Sequence, residues 1–119
     1  MDDSVIIDVG EALERVQDDK ELFLELLDIF QEDYEEKRPV LAESVKNKDA
    51  GRIQDIVHSI KGAASNISAK QIQTCCAEME LLAEQGQIEN VQDKVDRLER
   101  EYERLKGRVC EIKEKLGDV

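Results

Sequence analysis

The sequence predicts an all-α domain: an antiparallel up-down four-helix bundle with a short extra N-terminal helix. Three observations carry that expectation. Aromatic residues make up 3% of the 119-residue chain and proline occurs once, so strand formers and helix breakers are both scarce. Leu, Glu, Lys, Gln and Ala are abundant instead, and these lose little freedom on entering a helix. Helix-start signals then recur along the whole chain, followed by apolar residues three and four apart.

Asp8 with Glu11 three residues on has the form of a capping box opening a short helix through Val16. Asp18 with Glu21 reads as a second, and the segment that follows places Leu22, Leu26, Ile29, Phe30 and Tyr34 on one side of a helix. Pro39 is expected to break or kink that helix, because proline lacks the amide hydrogen and clashes with the preceding turn. Asp49 caps a third helix, from about Ala50 to Ile67. Ser68 with Gln71 is expected to cap a fourth, which Gly86 stops after Gln85. The last helix runs from about Ile88 to Leu116. Its residues Ile88, Val91, Val95, Leu98, Tyr102, Leu105, Val109, Ile112 and Leu116 step by three and four throughout, a heptad seam.

Short connections make neighbouring helices antiparallel, and no Gly/Ser-rich linker divides them. One domain over residues 1–119 is therefore expected, with the short helix at about 8–17 and the bundle at about 18–117. The fit of one domain to the chain favours a free-standing protein over a module of a larger hybrid kinase.

The formal net charge of −12 opposes binding to nucleic acid or to anionic membranes and favours protein partners with basic patches. No apolar run approaches the roughly 20 residues of a membrane span. The acidic start MDDSVIID lacks the basic and apolar regions of a signal peptide, so the protein is placed in the cytoplasm. Cys75, Cys76 and Cys110 form no C-x-x-C pair, and a metal site would need histidines that the chain lacks. They are read as buried, reduced, small apolar side chains.

The chain has one histidine, in VHSIKGAAS. At about 100° per residue, Ile53, Ile56, Val57, Ile60, Ala64 and Ile67 share a sector about 100° wide, and His58 lies roughly 150° from its centre. It therefore faces solvent. Lys61 and Gly62 lie one turn on along the same surface. A mid-helix glycine costs about 1 kcal/mol relative to alanine, which points to a place where something approaches the backbone. Gln54, Ser59, Ser65 and Asn66 keep the surrounding face small and, apart from Asp55, uncharged. A neutral imidazole is a good nucleophile near neutral pH and can take a phosphoryl group on a ring nitrogen. Lys61 is the cation one turn away that can meet the phosphoryl charge.

His58-Ser59-Ile60-Lys61-Gly62-Ala63-Ala64, with Asn66, Ile67 and Ala69 behind it, resembles the H-x-x-K-G-(A/S)-(A/S) signature of histidine phosphotransfer (HPt) domains. DVGEALERVQDDKELFLELLDIF and CCAEMELLAEQG are similar to the helices that flank that signature. The resemblance implies a helical bundle carrying phosphoryl groups between receiver domains of response regulators or hybrid histidine kinases. It implies His58 as phosphoacceptor and Lys61 as the cation that stabilises the phosphoryl group. Gly62, Gln54, Ser65 and Asn66 would form the docking face. It implies no cofactor of the chain's own, magnesium being held in the receiver's acidic pocket. The family usually has glycine where this chain has Ser68.

Three other readings stand beside this one. A sensor kinase's dimerisation helix also bears a phosphoacceptor, but the chain has no room for an ATP-binding domain and no glycine-rich phosphate loop, so kinase activity of its own is not expected. A pseudo-phosphotransfer domain would dock receivers without carrying phosphate. A non-catalytic helical interaction module could dimerise through the C-terminal seam if Val109, Ile112 and Leu116 overhang the bundle. A monomer, with that seam packed inside, is favoured over a dimer.

Overall fold

A computed structural model describes residues 6–117. The acidic start over residues 1–5, the last two residues, and whatever the sequence expects of them lie outside the described residues. Five α-helices follow in order: α1 (Val9–Arg15), α2 (Lys20–Lys46), α3 (Ala50–Asn66), α4 (Lys70–Glu84) and α5 (Val91–Gly117), the last entered through a 3-10 turn at Ile88–Asn90. No strand occurs among the described residues. α3 packs against α2 and α4, and α5 closes the ring by packing against both α4 and α2. Connections of three residues at α2–α3 and α3–α4 and of six at α4–α5 set successive helices antiparallel, so this is the expected bundle with α1 as an addition.

The helix starts follow the acidic caps with one shift. Asp8 accepts from the Glu11 amide (3.0 Å) and Asp49 from the Arg52 amide (3.1 Å). The cap of α2 is Asp19, accepting from Leu22 N (3.0 Å), and not Asp18. Asp18 is used otherwise: its amide donates to Leu13 O (2.7 Å) and closes the end of α1.

That closure recurs. The amides of Asp18, Asp49, Ala69 and Gln87 each reach back to a carbonyl of the last helical turn, with the preceding residue in the left-handed region. Those preceding residues are Gln17, Lys48, Ser68 and Gly86, and only one is a glycine. Ser68 (φ 55°) therefore does not cap α4 as the sequence suggests; Ala69 stands at the cap and makes no side-chain bond. Ser68 is fully buried, and its hydroxyl donates to Glu11 Oε1 (2.9 Å). The capping-box reading failed because the turn needs its left-handed residue one place before the cap. A side chain there costs about 1–2 kcal/mol relative to glycine. In urea titrations Ser68→Gly is expected to be more stable than Ser68→Ala by about that amount, since both lose the hydroxyl and only alanine keeps the strain. Equal stabilities would contradict a strained turn.

Pro39 does not break α2. The unfavourable proline, about 3 kcal/mol in a helix interior, is offset by burial on both sides of it, at Tyr34 and at Leu41 and Ser44. The Ser44 hydroxyl also donates to Val40 O (2.8 Å).

The buried face of α2 is Phe23, Leu27, Phe30, Tyr34 and Leu41: Phe30 and Tyr34 lie where expected, while Phe23 and Leu27 take the core in place of Leu22, Leu26 and Ile29. Leu22 and Ile29 are exposed and Leu26 is half-buried. Two apolar stripes overlap on this helix, and the one with the bulkier aromatics takes the core. α3 buries Ile53, Val57, Ile60 and Ala64 as expected, with Ile67 just past its end and Ile56 half-buried.

The seam on α5 is spent inside the chain: Val109 is 2% and Ile112 3% exposed, and Leu116 packs half-buried against the core. Among the described residues, then, Val109, Ile112 and Leu116 do not overhang the bundle. Cys75 and Cys76 are buried, burial pushing both thiols up, whereas Cys110 is exposed, contrary to expectation, because it lies beside the seam on the outer face of α5.

Two anchors fix the remaining parts. Arg38 lies over the rings of Tyr34 and Tyr102 (5.4 and 5.3 Å to centroid) and pairs through Nε and Nη2 with both oxygens of Glu99 (3.0 Å each), tying α2 to α5. α1 is tied to the α3–α4 turn by Glu11, which accepts from Ser68 and Lys70, and by the Asp8 amide, which donates to the Ser68 carbonyl, with Ile7 and Ala12 buried in the core.

Candidate functional site

α3 buries one face and offers the other to solvent, and His58 stands on the open face with its side chain 72% exposed. Lys61, one turn on, is 34% exposed. A Cβ added to Gly62 would meet nothing within 4 Å, so the space above this glycine is free. This mid-helix glycine is explained by clearance on the outside of the bundle, with no packing neighbour to accommodate.

α4 supplies what the sequence did not show. Glu80 sits 25% exposed between the two α3 side chains: its Oε2 lies 3.1 Å from His58 Nδ1, and its Oε1 pairs with Lys61 Nζ. Burial pushes the Glu80 carboxyl up, but the hydrogen bonds from Lys61 and His58 outweigh it and hold it below the usual carboxylate range. An ionised carboxylate only accepts, so Nδ1 carries the proton and donates. Nε2 is then the ring nitrogen with the free lone pair.

An open groove of about 460 Å³ runs between the helices, lined by His58, Lys61, Gly62 and Ser65 from α3 and by Gln73, Thr74 and Ala77 from α4. Of the expected site residues, His58, Lys61, Gly62 and Ser65 thus come together. Gln54 is half-buried and Asn66 exposed on the same helix, but neither lines the groove. Glu80, Gln73, Thr74 and Ala77 were missed. Antiparallel α3 and α4 set residues equidistant from their turn side by side, which leaves Glu78 and Glu80 both within range of His58. In the structure Glu78 turns to α5, paired with Lys94 (3.1 Å) and Arg97 (3.2 Å), and Glu80 turns to α3.

The arrangement is an exposed nucleophilic nitrogen with a fixed tautomer, one adjacent cation and an unobstructed approach. Compared with known proteins, residues 25–108 match the sequence profile of the Hpt domain. The chain belongs to the Hpt domain family. It is thus a histidine phosphotransfer module of two-component phosphorelays, a class that works with receiver domains. The fold of this Hpt domain is similar to that of histidine-containing phosphotransfer protein B (HptB) from Pseudomonas aeruginosa PAO1, solved by crystallography. The two align with a TM-score of 0.84 and 24% identity, over 92% of this chain and 96% of that one. No curated protein sequence matches this Hpt domain. None of its described helices is long and apolar enough to cross a membrane.

Proposed function

We propose that His58 is the phosphoacceptor, taking a phosphoryl group from the aspartyl phosphate of one receiver and handing it to the aspartate of another. The observation that carries this reading is the Nδ1–Glu80 contact, which directs Nε2 outward beside the free space over Gly62. In the forward step Nε2 attacks phosphorus in line, an N–P bond forms, and the P–O bond to the receiver's carboxylate breaks. The ring gains positive charge as Nε2 bonds, and the Glu80 carboxylate at Nδ1–H offsets it. The reverse attack by an aspartate carboxylate returns the ring to its neutral form with Nδ1–H still in place.

The protein acts as a carrier with no ATP-dependent kinase activity of its own, in the cytoplasm, with magnesium supplied by the receiver. Its thiols, all free among the described residues, fit a reducing compartment. Incubation with a labelled phospho-receiver and magnesium is expected to move label to His58 in an acid-labile, base-stable form, with phosphorus on Nε2 by NMR. Label on a carboxylate, or on no residue of this chain, would overturn the assignment.

Lys61 is paired with Glu80 in the unphosphorylated protein and is the cation within reach of a phosphoryl group on His58. Lys61→Ala is expected to lower transfer roughly 10-fold, the size of one lost charge-assisted contact, with helicity unchanged. Stopped-flow transfer at saturating receiver gives the check; an unaltered rate would remove Lys61 from the chemistry.

A further inference from the structure

Among the described residues three large apolar side chains stand exposed: Leu22 at 40%, Ile29 at 51% and Leu81 at 53%. Singly exposed leucines are ordinary. What sets Leu81 apart is its place. It follows Glu80 on α4, and Ala77, four residues before it, is exposed and lines the His58 groove with Thr74. Thr74, Ala77 and Leu81 lie three and four residues apart, so they form one strip on the outer face of α4, starting in the groove and ending level with Glu80. The strip carries no charge, and Glu78 beside it is turned to α5 and held by Lys94 and Arg97.

Leu22 and Ile29 lie on α2, across α3 from the groove, among the exposed Glu21, Glu25 and Glu32. Whatever hands a phosphoryl group to Nε2 brings negative charge with it. Those carboxylates repel such a partner; on α4 Glu78 and Glu80 are each paired with a cation, which leaves the exposed Glu84, one turn past Leu81, as the acid group beside the strip.

We propose that the receiver straddles the α3–α4 groove and rests an aliphatic or aromatic side chain, placed beside its phosphorylated aspartate, on Leu81, Ala77 and Thr74. This rests on His58 being the phosphoacceptor. The strip continues the groove that any such partner must enter, and an apolar contact in the middle of a docking face carries a large share of its affinity.

The test uses two phosphoryl donors. One is a phosphorylated, magnesium-bound receiver domain from the same genome, chosen because it phosphorylates the wild-type chain. The other is phosphoramidate, which needs no docking face. Leu81→Asp is expected to raise KM for the receiver roughly 10-fold, and to lower its transfer by about that factor relative to phosphoramidate labelling of the same variant. Ala77→Asp should act in the same direction. The paired Leu22→Asp and Ile29→Asp change should leave receiver KM within about twofold of wild type. A wild-type KM in both α4 variants, or a rise confined to the α2 pair, would overturn the docking face and leave the phosphoacceptor standing. Label placed by both donors on a residue other than His58 in the wild-type chain would overturn the phosphoacceptor and the docking face together.

Discussion

His58→Gln is expected to reduce phosphoryl acceptance to background while leaving thermal unfolding of the bundle unchanged. His58 is the only imidazole in the chain, so no neighbouring nucleophile of the same kind can substitute. Its side chain is 72% exposed, and Glu80 is the partner it contacts, so little packing is lost. Glutamine is at least as good a helix former, and its amide can still donate to the Glu80 carboxylate. The Lys61–Glu80 pair survives, which keeps the groove electrostatically as it was. Labelled-receiver transfer and a circular-dichroism melt on the same sample separate the two effects. Label retained by the variant would mean that another residue is the acceptor; lost transfer with a lowered melting temperature would mean that His58 supports the fold.

Glu80→Ala is expected to slow transfer roughly 10–100-fold, the range found where the partner that orients a working histidine is removed. Without the carboxylate the ring is free to turn and the proton can sit on either nitrogen, so part of the population presents Nε2–H, which cannot attack. The positive charge that the ring gains in the step also loses its counter-charge. Glu80→Gln separates orientation from charge. Its amide oxygen still accepts from Nδ1–H, so the tautomer and most of the rate should be kept, although the ion pair with Lys61 is lost. Nitrogen chemical shifts of the ring report the tautomer directly, which a purely structural role for Glu80 would not move. An Ala variant with an unchanged tautomer and rate would remove Glu80 from the site.

Much of this was legible in the sequence, for physical reasons that can be traced residue by residue. The buried face of α3 was legible because Ile53, Val57, Ile60 and Ala64 have no competing stripe, and the exposed place of His58 follows from it. On α2 two stripes overlap at Phe30 and Tyr34, and only side-chain bulk in the assembled core decides whether Leu22, Leu26 and Ile29 or Phe23 and Leu27 join them. Pro39 failed as a breaker because tertiary burial outweighs a local cost. Ser68 was misread because serine's preference for capping is local, whereas its backbone angle is set by how α3 ends and by Asp8, whose amide donates to the Ser68 carbonyl (3.0 Å). Glu80 was out of reach for a different reason. Periodicity gives the face of a helix but not which flank meets which neighbour, and that choice separates Glu80 from Glu78.

The open groove at His58 also sets the traffic of the relay. If donor and acceptor must both meet Nε2 on the same face, they cannot be seated together, and each handover has to end before the next begins. Such a carrier works by a ping-pong scheme, with its two receivers competing for one berth. Flux then passes through a maximum as carrier concentration rises, because surplus unphosphorylated copies occupy the acceptor receiver with nothing to deliver. A cell running this relay would do best with fewer carriers than receivers.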